Sequence, residues 1–188
     1  MTIYEYLSTV EQEAFDAYKR SDGAGGGFAY TVNHNLRNAI ALTAEDEVHK
    51  NSLDIAINSQ SLLADTCLYR AVYGDCVERF IKSQDFQDPA YLSTSAQDDN
   101  LRQHYNRHPN SDGYDPYLLI IDAKQSAKAM YMEKSDNTAE EKEYLLPRNA
   151  KLTIVKREEI TDKAEIKRIT GDFKNEIDVL KVIYLEYS

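Results

Sequence analysis

The chain has no tryptophan, and among its 188 residues only two cysteines, four prolines and seven glycines. Cys67 and Cys76 fit neither a redox C-x-x-C nor a zinc-knuckle spacing. Two cysteines also make no disulfide framework, so both read as reduced and structural. No apolar run approaches the roughly 18 residues of a membrane span, and Met1 to Val10 lacks a basic stretch followed by an apolar core. Neither a membrane partner nor a signal peptide is therefore expected. A cytoplasmic site of action is, and delivery by a specialised secretion system would leave no such mark. Basic charge is short as well: 22 Lys and Arg stand against 32 Asp and Glu, a net of -10. That balance disfavours a broad basic footprint for duplex DNA or anionic lipid, while leaving room for a small basic site. Internal repeats and Pro- or Ser-rich linkers are missing too, which predicts one domain over residues 1–188.

What is present is a globular composition, 42% hydrophobic and 29% charged, with fourteen tyrosines. Residues 1–65 read as a helical subregion. Glu5 to Arg20 carries Leu7, Val10, Ala14, Ala17 and Tyr18 at spacings of three and four, an amphipathic stripe. Four glycines within Gly23 to Gly27 end that helix. No Lys-Ser or Lys-Thr follows them and no strand precedes them, so they read as an inter-helix connection and not a phosphate-cradling loop. A second helix is predicted over Tyr30 to Ala41 and a third from Ser52 to Leu63 or Ala64, with Thr43-Ala44-Glu45-Asp46 resembling an acidic helix start. From Thr66 the texture becomes β-type: Leu68 to Tyr73, Tyr117 to Ile121, Tyr144 to Pro147, Leu152 to Val155 and a terminal run over Val179 to Tyr187. Helices first and strands afterwards predict an α+β fold, a helical segment packed on a mainly antiparallel core over 66–188.

Three short segments carry chemistry. Arg70 sits in the middle of the apolar run Leu68 to Tyr73, and a guanidinium cannot discharge there, so it must meet an anion. Taken alone, a structural ion pair is the better reading and a ligand phosphate the other. Tyr91-Leu92-Ser93-Thr94-Ser95 places three hydroxyls in a row, which by themselves suit an edge strand or a turn. Glu141 and Glu143 share one face of an extended chain and repel each other. On their own they also read as a solvated acidic loop.

Together, and in this order, the segments resemble the mono-ADP-ribosyltransferases of the Arg–Ser–Glu class, the fold of the binary actin-modifying toxins and related bacterial and phage enzymes. Tyr69-Arg70, Ser93-Thr94-Ser95 and Glu141-x-Glu143 running into Leu145-Leu146-Pro147 follow one another at intervals of 23 and 50 residues. Tyr30-x-x-Asn33-x-x-Leu36-Arg37 is similar to a helix segment that precedes the core in those enzymes. The resemblance implies a two-sheet β core and NAD as cosubstrate, with no metal. It further implies that Glu143 holds the ribose, that Arg70, next to Tyr69, pairs with the NAD phosphate, and that Ser93 orients Glu143 while Thr94 and Ser95 support the strand end. In this class a Glu at the position of Glu141 accompanies arginine modification. A guanidinium is always protonated, so it needs a carboxylate to draw it in and to help it lose a proton.

The implied function is a toxin, effector or phage enzyme acting on a target protein with an accessible arginine. A nucleic-acid acceptor is the first alternative and a non-catalytic domain of the same fold the second; no residue marks a cognate inhibitor or immunity protein. Some features depart from the pattern. Glu133 to Glu140, in the place of the recognition turn, lacks the aromatic residue of the actin-modifying members. The polar stretch Asp98 to Pro109 reads as a loop over NAD or the acceptor, with Arg102 and Arg107 as candidate phosphate contacts. His104 and His108 stand four apart, but no Glu follows the first, as a zinc protease would need.

Overall fold

The computed structural model describes residues 3–20, 27–107, 115–134, 142–171 and 177–188. A 3-10 turn at Ile3–Tyr6 leads into α1 (Thr9–Lys19). Glu11 reaches back to accept from the Ser8 backbone N–H at 2.7 Å, which satisfies a donor at the helix start. Ala14, Phe15 and Tyr18 are the buried face of α1. Val10, expected in that stripe, lies on its flank and is 54% exposed.

Gly27 precedes α2 (Phe28–Arg37), which is shorter than the expected run to Ala41. Then α3 spans Ala44–Asn58, with the Thr43 hydroxyl accepting from Asp46 N at 3.1 Å and Glu45, Asp46 and Glu47 in its first turn. The cap and the acidic turn set the start, not Ser52. Ser52 stays inside the helix because its hydroxyl donates to the Val48 carbonyl at 3.0 Å.

The β-rich part contains β1 (Thr66–Tyr73), α4 (Gly74–Glu78), β2 (Ile81–Lys82), β3 (Asp85–Phe86) and β4 (Leu92–Ser95). After a 3-10 turn at Asp98–Leu101 come α5 (Arg102–Arg107), β5 (Pro116–Ala123), β6 (Met130–Tyr131), β7 (Glu143–Leu146), β8 (Leu152–Ile160), α6 (Lys163–Thr170) and β9 (Leu180–Tyr187). The stretch from Asp98, expected as a loop, is thus helical as far as Arg107.

The strands pair in the order β2-β3-β8-β9-β5-β1-β4-β7-β6. All pairings are antiparallel except β5 with β9. The architecture is α+β. The two-sheet detail is not confirmed: hydrogen bonding joins the strands into one nine-stranded order. The joint between β1 and β4 is narrow, a single register pair of Tyr69 with Ser95.

Alternation along the strands sorts the core into layers. Leu119, Ile121, Ile183 and Leu185 pack with Leu68, Phe86, Leu146 and Leu152 on one face. Leu118, Leu180 and Val182 on the other face meet Leu101, Tyr105, Ile166 and Ile169 of the segments around α5 and α6. The N-terminal helices cover the far half, with Phe15, Tyr18, Val32, Leu53 and Ile57 against Tyr91, Met130 and Leu145. Among the described residues no helix is long and apolar enough to cross a membrane.

Candidate active site

The β4–β7 ladder sets Ser95 opposite Glu143 and Ser93 opposite Leu145. Residues of one parity share a face, so Ser93 and Glu143 lie on the side of Leu145, which α1 to α3 cover. There the Ser93 hydroxyl donates to Glu143 Oε1 at 2.5 Å. The Ser93 carbonyl accepts from Arg70 Nη1, also at 2.5 Å. β1 and β4 share only one register pair, Tyr69 with Ser95, next to this contact. Arg70, Ser93 and Glu143 thus form one connected chain across three strands. A carbonyl is uncharged, so the contact orients the guanidinium without neutralising it.

The end of α1 closes over this chain. Lys19 Nζ lies 2.7 Å from Glu143 Oε2 and 3.9 Å from Glu133 Oε1. Glu133 is itself buried, and the Glu143 backbone N–H points at its Oε1 over a long 3.4 Å. Beside Lys19, burial pushes the Tyr18 hydroxyl up to about 12. The Asn33 hydrogen bond works against that rise, the charge of Glu143 adds to it, and Arg70 and Arg37 oppose it. Tyr18 is therefore a neutral phenol at physiological pH.

Tyr18 also marks how the helices are fixed to the strands. Asn33 donates to the Tyr18 hydroxyl at 2.9 Å and accepts from Tyr91 N at 3.1 Å. Arg37 grips Asp88 with both Nε and Nη2, the shortest contact being 2.8 Å. Asp88 in turn accepts from Ala90 N at 2.9 Å, just ahead of β4. The segment Asn33 to Arg37 is thus a latch that sets where β4 begins. A second latch joins α3 to the turn after β7: Arg148 donates twice to Asp54, at 2.9 and 2.6 Å, and Tyr91 donates to the same carboxylate at 2.8 Å. Burial would raise Asp54, but these hydrogen bonds and the charge of Arg148 outweigh it and hold the carboxyl below its ordinary range.

The other expected residues are distributed differently. Thr94 faces away from Ser93 and donates to the Tyr144 carbonyl at 2.8 Å. Ser95 closes the turn after β4, donating to Gln97 O at 2.9 Å and accepting from Gln97 N at 3.0 Å. Tyr69 lies on the opposite face of β1 from Arg70 and packs with the cluster around Tyr105 and Leu118. Its hydroxyl is raised to about 12 by interaction with Cys67 and by burial. Arg102 donates to the Arg168 carbonyl at 3.0 Å, tying α5 to α6. Glu141 and His108 fall outside the described residues, as do the glycine-rich connection up to residue 26, most of the recognition turn and the side chain of Arg107. Exposed His104 belongs to no metal-holding group found among the described residues.

Lys19 and Glu133 were not expected from the sequence. A lysine in the last turn of a helix ordinarily complements the helix dipole, so nothing local sets Lys19 apart. An open cavity beside α1, lined by Tyr4, Gln12, Asp16, Arg20 and His49 among others, includes none of Arg70, Ser93 and Glu143.

The same architecture recurs in known proteins. Plx2a, an ADP-ribosyltransferase toxin from Paenibacillus larvae, matches with a TM-score of 0.66 at 16% identity, over 99% of this chain and 89% of that one. BECa, an ADP-ribosylating toxin of a binary enterotoxin of C. perfringens, solved with NADH, matches with a TM-score of 0.69 at 13% identity. That alignment covers 99% of this chain and 45% of the other. An ADP-ribosyltransferase from Clostridium botulinum gives 0.62 at 18% identity, over 96% and 88% of the two chains. At these identities the likeness is one of fold. No curated protein matches the chain. A family model described as ADP-ribosyltransferase exoenzyme, however, matches residues 1–175. The chain therefore belongs to the ADP-ribosyltransferase exoenzymes, whose reaction is NAD-dependent ADP-ribosyl transfer.

Proposed function

We propose that the chain is a single-domain mono-ADP-ribosyltransferase that modifies arginine on a target protein, with Arg70, Ser93, Glu141 and Glu143 as its working residues. The observation that supports its NAD-cleaving part is the unbroken contact from Arg70 through Ser93 to Glu143, while the arginine acceptor rests on Glu141 through the resemblance. A fixed cation, a neutral hydroxyl and a carboxylate in one line fit a substrate with a phosphate, a ribose and a cationic leaving ring.

The chemistry assigns each group a task. Arg70 offers forked donors to a phosphate oxygen. Ser93 fixes one oxygen of Glu143, so the other can face the ribose. The bond between ribose C1′ and the nicotinamide nitrogen breaks, and its electron pair leaves with the ring and cancels the ring's charge. Positive charge then grows on the ribose, and the Glu143 carboxylate stabilises it as in glycoside cleavage. An arginine guanidino nitrogen forms the new bond at C1′ and gives up its proton to Glu141 or to water through it. Thr94 and Ser95 act at one remove, pinning the end of β4. Tyr69 has its place beside Arg70 in sequence but supports β1 from the other face.

The test is transfer of label from NAD to a cell lysate, untreated or digested first with protease or nuclease. The expected result is hydroxylamine-labile label on protein, with Glu141→Gln losing transfer while still releasing nicotinamide. Label removed only by nuclease, or wild-type transfer to arginine by Glu141→Gln, would overturn the acceptor assignment.

A further inference from the structure

Both oxygens of Glu143 are engaged: Oε1 accepts from Ser93, and Oε2 lies 2.7 Å from Lys19 Nζ. The reaction asks something different of Oε2. A carboxylate that steadies a ribose turning cationic must present its negative charge to that ribose. An ammonium at 2.7 Å cancels the charge and stands beside a second, developing cation. Lys19 therefore has to leave Glu143 before the glycosidic bond breaks.

A destination lies within reach. Lys19 is the last residue of α1, its side chain is 25% exposed, and its four-carbon stem is flexible. Glu133 Oε1 is 3.9 Å from the same ammonium, on a side chain only 10% exposed. Without a cation the two enclosed carboxylates would repel each other, and a lysine between them offsets that repulsion. Neither Lys19 nor Glu133 belongs to the segments that carry the Arg–Ser–Glu pattern.

Building on the NAD-cleaving role given to Glu143 above, we infer that Lys19 is an exchangeable counter-ion. It pairs with Glu143 and passes to Glu133 when the ribose takes Oε2. Lys19 and Glu133 are thus positioning residues that set how readily NAD is accepted, and they take no part in bond breaking.

The experiment measures nicotinamide release by the full chain without acceptor, across NAD concentrations. It compares the wild type with Lys19→Met, Lys19→Gln, Glu133→Gln, the double variant Lys19→Met/Glu133→Gln and Glu143→Ala. Removing the ammonium removes a competitor, so Lys19→Met and Lys19→Gln should lower KM for NAD by roughly fivefold and change kcat by less than about twofold. Glu133→Gln takes away the ammonium's second partner and should raise KM by a similar factor. In the double variant that rise should vanish. A higher KM in both Lys19 variants would make Lys19 an NAD contact and overturn the exchange, and so would a Glu133→Gln effect that survives without Lys19. Unchanged KM in every Lys19 variant, with release still dependent on Glu143, would sink this inference alone. Equal release by the wild type and Glu143→Ala would instead sink the role of Glu143 on which it rests.

Discussion

Ser93 joins the two charged ends of the site, with its carbonyl on Arg70 and its hydroxyl on Glu143. Hydrogen bonds to charged groups contribute more than neutral ones, about 1.5–3 kcal/mol. If the hydroxyl holds Glu143 for the transition state, Ser93→Ala should lower kcat/KM for nicotinamide release by roughly tenfold to a hundredfold. Ser93→Thr should keep most of the activity. An alanine variant as active as the wild type would reduce Ser93 to a strand residue. At this scale the sequence was informative about residue types but not about sides. The order of the segments singled out Arg70, Ser93 and Glu143, and adjacent Tyr69 points away from Arg70 because successive strand residues must. Lys19 was not legible at all, since its partner lies 124 residues away.

Among the elements, the helices matter for what they hold. Asn33, Arg37 and Asp54 each tie a helix to the strand β4 or to its neighbour β7, through Tyr91, Asp88 and Arg148. Asp54→Asn should cost about 1–3 kcal/mol at neutral pH, less than a fully buried pair because both side chains are partly exposed. The pH dependence follows from its depressed carboxyl. The folded state holds Asp54 below its unfolded value of about 3.9, so its contribution is complete above that value and is lost as pH falls through the folded one. Thermal melts should therefore show a gap between wild type and Asp54→Asn that is full at neutral pH and narrows below about pH 4. A gap independent of pH would mean that the ion pair is not its source. The boundaries of α3 teach a related lesson. Thr43 and the acidic turn announced its start, whereas the run expected from Ser52 to Leu63 or Ala64 overlaps only its C-terminal half, since α3 ends at Asn58.

For the whole molecule, the order of helices then strands was enough to place the fold class, because each region has its own period and turn residues. The neighbours of each strand were not legible. The run ending at Tyr187 reads as a strand from its own residues, but its parallel pairing with β5 and antiparallel pairing with β8 depend on contacts far apart in sequence. The narrow β1–β4 joint, a single register pair, is likewise a property of the assembled sheet. The central claim is that Glu143, held by Ser93, is the centre of an NAD-cleaving site. The most direct measurement is nicotinamide release from NAD by the full chain and by Glu143→Ala, without acceptor. The account predicts release by the wild type and a loss of at least about a hundredfold in the variant. Equal release by both, or none from a folded wild type, would contradict it.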